Sequence, residues 1–142
     1  MEDQYNLERF VDAQQSDYAT ALSEIKKGKK KSHWMWYIFP QVLGLGFTST
    51  AMEFGIKNLD EATAYLQHKV LGERLTEISN ALLALPTDSS DDIFGRTDSM
   101  KLRSSMTLFS LVPNADEVFQ KVLNKFYNGK QDDKTLQLLK VH

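Results

Sequence analysis

Two short stretches carry residue types that could do chemistry together. The first, Lys29-Lys30-Lys31-Ser32-His33-Trp34-Met35-Trp36-Tyr37-Ile38-Phe39-Pro40-Gln41, sets both tryptophans of the chain directly after a run of lysines. Lysine ammonium groups neutralise phosphates while a planar ring stacks on a base or sugar, so this pairing suits a nucleotide or another phosphorylated ligand. A structural reading competes with it. Lysines that follow a helix complement the negative end of its dipole, and aromatic runs more often fill a core. His33, an imidazole that can both donate and accept a proton, is the natural general acid or base of this stretch, although a histidine can equally cap a helix. His68 falls between two expected helices, and His142 ends the sequence.

The second stretch is Lys101-Leu102-Arg103-Ser104-Ser105-Met106-Thr107-Leu108-Phe109. On a helix Lys101 and Ser105 share one face and Arg103 and Thr107 another, with Leu102, Met106 and Phe109 turned inward. Arg103 could grip a phosphate or carboxylate with two parallel hydrogen bonds while Ser104 and Ser105 complete the shell. The alternative pairs Arg103 with one of Asp88, Asp91, Asp92 or Asp98. No G-x-S-x-G turn surrounds the serines, which argues against a hydrolase nucleophile. Gln14 lies four residues after Phe10 on an inward face, so its amide either ties helices together or lines a pocket. Gly44-Leu45-Gly46 lacks the Gly-Lys-Ser/Thr ending of a phosphate loop and reads as a hinge.

Composition limits what these stretches can serve. The 142 residues make one ordinary domain, residues 1–142, and the balance of 17 basic to 19 acidic side chains disfavours a surface built for nucleic acid. The charge is nevertheless segregated. Lys26, Lys27, Lys29, Lys30 and Lys31 gather in one window, leaving the remainder strongly acidic. With no cysteine there are no disulfides, thiolate metal sites or thiol nucleophiles. No metal site and no cofactor motif is expected. An acidic, polar N-terminus and the lack of a long apolar run predict a cytoplasmic protein with no membrane contact.

The elements that must position the two stretches are helical. Leu7, Phe10, Val11 and Gln14 form one face behind Asn6, and Tyr18, Ala21, Leu22 and Ile25 another behind Ser16, ending at Gly28; this predicts two short helices. Asn58 and Glu61 open a helix over Leu59 to Leu66, and Leu71, Leu75, Ile78, Leu82 and Leu85 keep strict helical spacing until Pro86. Further helices are expected from about Asp98 to before Pro113, behind an Asn114/Glu117 cap as far as Gly129, and over Thr135 to Leu139. The apolar run Trp34 to Phe39 suits a buried strand or a short helix; with no strand to pair with, helix is favoured. The expected fold is all-α, a single compact domain of seven to nine short helices.

The segments LERFVDAQ (7–14), KSHWMWYIFPQ (31–41), GLGFTSTAMEFGI (44–56), LDEATAYLQHKVLGERL (59–75), IFG (93–95) and KLRSSMTLF (101–109) resemble the domain-of-unknown-function 1810 family of small bacterial proteins, from about Leu7 to Leu139. The resemblance implies a mainly α-helical single domain and assigns no activity.

The resulting expectation is a pocket in which Lys31, His33, Trp34, Trp36 and Gln41 meet Lys101, Arg103, Ser104 and Ser105 around a small anionic ligand, nucleotide-like or phosphorylated. Whether a reaction follows is left open, with His33 as its natural acid or base. In a second reading the lysine run docks an acidic partner or RNA while the tryptophans are purely structural. A structural or regulatory homodimer is a third.

Overall fold

A computed structural model describes residues 3–140, so His142 lies outside the described part. Among those residues the fold is all-α, with nine helices and, in place of any strand, one isolated parallel bridge between Val42 and Ile56. The helices are α1 (Glu8–Lys26), α2 (Met35–Ile38), α3 (Ser49–Glu53), α4 (Leu59–Gln67), α5 (Lys69–Leu83), α6 (Ser90–Phe94), α7 (Arg96–Ser110), α8 (Val118–Tyr127) and α9 (Asp133–Leu139). α5 packs on α1, α4 and α8; α7 packs on α4, α6, α8 and α9. Those two helices carry the core between them.

The N-terminal segment is one helix, not two. Phe10, Gln14, Ala21 and Ile25 are all buried on one uninterrupted stripe, and Ser16 sits exposed in mid-helix with its hydroxyl turned to Asp17. A potential cap residue does not break a helix whose buried face continues past it. The start differs too: Asn6 has a left-handed backbone, and the Asp3 carboxylate accepts from the Leu7 and Glu8 amides at 2.7 and 2.9 Å. The end is as expected, with Gly28 at φ +77° donating to Ile25 O at 2.8 Å while Lys29 N reaches back to Glu24 O at 3.1 Å.

Trp34 to Phe39 resolves as the single helical turn of α2. α4 has its expected cap, Asn58 Oδ1 accepting from Glu61 N at 2.9 Å, and Glu61 in turn accepts from Lys57 N at 2.9 Å. α5 begins where His68 Nδ1 accepts from Leu71 N at 3.3 Å, which assigns that histidine a capping role. The Asn114/Glu117 cap of α8 does not form. Asn114 is left-handed, Glu117 makes no side-chain cap, and Asp116 Oδ1 takes the Val118 amide instead at 2.8 Å. The one-turn helices α3 and α6, opened by Thr48 and Ser89, have no counterpart among the expected elements.

An aromatic file binds these layers. Phe54, Phe10, Tyr65, Phe109 and Phe119 follow one another with centroid separations of 5.6, 5.1, 5.3 and 5.8 Å, linking the α3 end, α1, α4, α7 and α8. Such tilted and edge-on pairs contribute about 0.5–1.5 kcal/mol each beyond area burial. Beside the file, Arg9 donates to Glu61 Oε2 at 2.8 Å and to the carbonyls of Tyr5, Asn6, Glu53 and Gly55, while Glu61 is fully buried. This clamp joins the start of α1 to the start of α4.

Candidate functional site

α2 is too short to have a long buried stripe, and residues two apart on it face opposite ways. Trp34 turns inward. It is 1 % exposed, packs against Phe39 and Phe94, and donates its indole N–H to Glu24 Oε1 at 2.9 Å. Trp36 turns outward and lines two adjacent clefts. The pair therefore divides into a core residue and a surface platform.

α7 divides in the same way. Lys101 reaches across to α2, its Nζ lying 4.7 Å from the centroid of the Trp36 ring, and it borders both clefts that Trp36 borders. Arg103 points to the other side of the helix. Its Nε donates to Lys130 O at 3.0 Å and an Nη to Gln131 O at 2.5 Å, fastening the approach to α9. Its Nε and one Nη are thus engaged by backbone carbonyls, Arg103 lines neither cleft that Trp36 borders, and none of the four aspartates considered for it is its partner.

The first cleft, about 460 Å³, has Lys30, His33, Trp36, Thr48, Asp98 and Lys101 on its walls. Asp98 stands between two lysines: Lys30 Nζ is 2.8 Å from Oδ2 and Lys101 Nζ is 3.2 Å from Oδ1. Lys30 also lies 5.0 Å from the Trp34 centroid, so each cation rests over one of the two tryptophans. Burial alone would raise the Asp98 pKa, but hydrogen bonds and charge from Lys30 and Lys101 outweigh it and hold the carboxyl below its ordinary value. Two ammonium groups facing one carboxylate leave a net positive charge. His33 is exposed at this rim, its carbonyl accepting from the Tyr37 hydroxyl at 3.3 Å. The Thr48 hydroxyl is engaged as the α3 cap, accepting from Ala51 N at 3.1 Å.

The second cleft, about 350 Å³, includes Trp36, Gln41, Leu45, Met100, Lys101 and Ser104 among its lining residues. Gln41 is 2 % exposed, and its Nε2 has no hydrogen-bond partner. Its backbone is fixed by the Val42–Ile56 bridge, with Ile56 N donating to Gln41 O at 2.9 Å. Ser104 turns its hydroxyl to Met100 O at 3.2 Å; Ser105 is fully buried behind it, its hydroxyl also unpaired. Gly46 lies against the indole edge, where a Cβ would come within 2.9 Å of Trp36 Cη2.

The structure therefore brings His33, Trp36, Gln41, Lys101 and Ser104 around two adjoining clefts. It sets Trp34, Arg103 and Ser105 into the scaffold. Lys31 borders a different hollow of about 500 Å³ beside Ser23, Lys27 and Lys29 on the flank of α1. Gln14 resolves in favour of a tie: Nε2 donates to Tyr37 O at 2.7 Å and Tyr65 Oη at 3.0 Å, and Oε1 accepts from Arg74 at 3.3 Å. Lys30 and Asp98 are cleft residues that sequence reasoning did not place there. In the sequence Lys30 is one of five similar lysines, and Asp98 stands out only as an acidic candidate to pair with Arg103. Among the described residues no group of three or more His, Asp or Glu side chains could hold a metal ion, and no helix is long and apolar enough to cross a membrane.

Residues 4–139 match the family described as "Protein of unknown function (DUF1810)", and the chain belongs to that family. It is also similar to the crystal structure of the conserved hypothetical protein Rv1873 from Mycobacterium tuberculosis, at 44 % identity and a TM-score of 0.95, covering 99 % of this chain and 100 % of that one. None of the curated proteins matches it.

Proposed function

We propose that this protein binds a small anionic ligand, nucleotide-like or phosphorylated, in the cleft between α2 and α7. The observation that carries the reading is the Lys101 ammonium 4.7 Å from the Trp36 ring, with Lys30 and Lys101 both drawn to a single Asp98 carboxylate. An entering phosphate would compete with Asp98 for two preassembled cations beside an aromatic platform. His33 at the rim supplies a directional hydrogen bond and is the group available to move a proton if a reaction follows.

A thermal-shift screen with inorganic phosphate, sugar phosphates and nucleotides, run on the wild type and on Lys101→Met, tests this. A ligand at 100 times its dissociation constant should stabilise the native state by about 2.7 kcal/mol. That gain should vanish in Lys101→Met. If no phosphorylated compound stabilises the wild type, the proposal fails.

A second reading rests on the hollow bordered by Lys27, Lys29 and Lys31, where an acidic protein or RNA would dock. Salt separates the two. Binding through several lysines to RNA weakens steeply between about 50 and 200 mM salt, whereas a cleft using two charges loses little.

A further inference from the structure

We infer that the Gln41 cleft receives a nucleobase, so that the anion held by Lys30 and Lys101 is the phosphate of a nucleoside phosphate. The inference rests on the anion-binding reading above and names its ligand class.

The two clefts share Trp36 and Lys101, so a single ligand crossing that boundary can occupy both. Their characters differ. The Lys30 side sets two ammonium groups against one carboxylate and holds hydroxyls and His33. The Gln41 side offers the apolar walls Leu45, Met100 and Trp36, and its remaining charges, Asp132 and Lys134, are of opposite sign. Asp132 is further engaged as the α9 cap, Oδ2 accepting from Thr135 N at 2.9 Å. One half suits an anion, the other an uncharged, flat, polarisable group.

Gln41 supplies the polar reader that such a group needs. The fold's other buried glutamine, Gln14, has both amide atoms satisfied, while Gln41 Nε2 lacks a partner although its backbone is pinned by the Ile56 bond. A buried amide nitrogen without an acceptor is destabilising; Ser105 Oγ is unpaired as well, but of the two residues only Gln41 lines the cleft. Any acceptor would satisfy it; a ring nitrogen or ring carbonyl, which every nucleobase carries, is the kind that a flat group lying between the apolar walls Leu45, Met100 and Trp36 would present. Met100, 66 % exposed on α7, is otherwise an unexplained apolar side chain, and a thioether packs well on a flat ring. A sugar phosphate would fill the lysine side alone and leave Gln41 unpaired.

Calorimetric titration of the wild type, Gln41→Leu and Met100→Ala with ribose 5-phosphate, UMP and AMP tests the assignment. At least one nucleotide should bind the wild type tenfold or more tightly than ribose 5-phosphate. Gln41→Leu, which keeps the volume and removes the donor, should bring that nucleotide close to the ribose 5-phosphate value and leave ribose 5-phosphate itself within twofold. Met100→Ala, altered at an exposed position that the fold does not depend on, should lower nucleotide affinity about threefold with ribose 5-phosphate unchanged. If ribose 5-phosphate binds as tightly as both nucleotides, the nucleobase assignment falls and the anion reading stands. If none of the three compounds binds, both fall. An equal loss of nucleotide and ribose 5-phosphate affinity in Gln41→Leu would overturn the role of Gln41 as base reader.

Discussion

Lys101 and Trp36 come from opposite halves of the chain, yet the lysine ammonium lies 4.7 Å from the indole centroid and both side chains border the same two clefts. The contact is a direct coupling between α7 and α2. A double-mutant cycle of Lys101→Met and Trp36→Phe, followed by urea denaturation, should give a coupling of about 0.5–1 kcal/mol, the range of a partly exposed cation–π pair. Full additivity would mean that the contact does nothing for the fold.

Arg103 is expected to behave as a scaffold residue. Arg103→Ala loses two charge-assisted bonds to the Lys130 and Gln131 carbonyls and should destabilise the protein by about 1.5–3 kcal/mol. Arg103→Lys should recover little, because an ammonium cannot reproduce the fork that spans consecutive carbonyls. Chemical denaturation measures both effects, and neither variant should alter which phosphorylated compounds stabilise the protein.

Removing half of the buried Arg9–Glu61 pair should cost more. Glu61 is fully buried, so Arg9→Met leaves a charge without its main partner, a change that typically costs about 3–5 kcal/mol. Arg9→Met together with Glu61→Gln should be milder than the single change at Arg9. Equal losses in the two would show that the carbonyl contacts of Arg9 matter more than its ion pair.

Acid should find Glu24. Burial raises its pKa, but the Ser32 hydroxyl, the Lys31 and Ser32 amides and the Trp34 indole together outweigh burial and bring it from an ordinary 4.5 to about 2. A carboxyl with a depressed folded-state pKa adds stability that is complete above its unfolded value and is lost as pH falls through the folded one. The Glu24 contribution should therefore fade between about pH 4.5 and pH 2. Glu24→Gln should be less stable at neutral pH and flatter across that window, measured by denaturation at a series of pH values. Identical slopes in wild type and variant would exclude Glu24 as the source.

The long helices were legible because their burial is periodic. Leu71, Leu75, Ile78 and Leu82 are all buried as their spacing predicts, whereas Leu85, the last of that series, falls beyond the end of α5 at Leu83 and is half-buried; Asn58 caps α4 as its position implies. α3 and α6 escaped notice because a helix of one turn has no period to detect; the Thr48 and Ser89 caps were the available signals. Ser16 misled for the converse reason: its side chain fits a cap, but the buried stripe on both sides of it is continuous. In the site, residue chemistry selected two motifs that do meet. It could not separate Trp34 from Trp36, or Lys101 from Arg103, because the faces of α2 and α7 are set by what packs behind them.

That separation makes each motif a mixture of two kinds of sensitivity. Within Trp-Met-Trp the first ring is core and the second borders the clefts, and within Lys-Leu-Arg the lysine borders the clefts while the arginine fastens the approach to α9. A library randomised across either motif should therefore sort into two populations. Changes at Trp34 or Arg103 should lower the yield of folded protein, and changes at Trp36 or Lys101 should leave yield high while removing the stabilisation by a phosphorylated ligand that the proposed cleft predicts. Scoring the same library once for abundance and once for ligand-dependent stabilisation would divide each motif along the line drawn by a half-turn of helix.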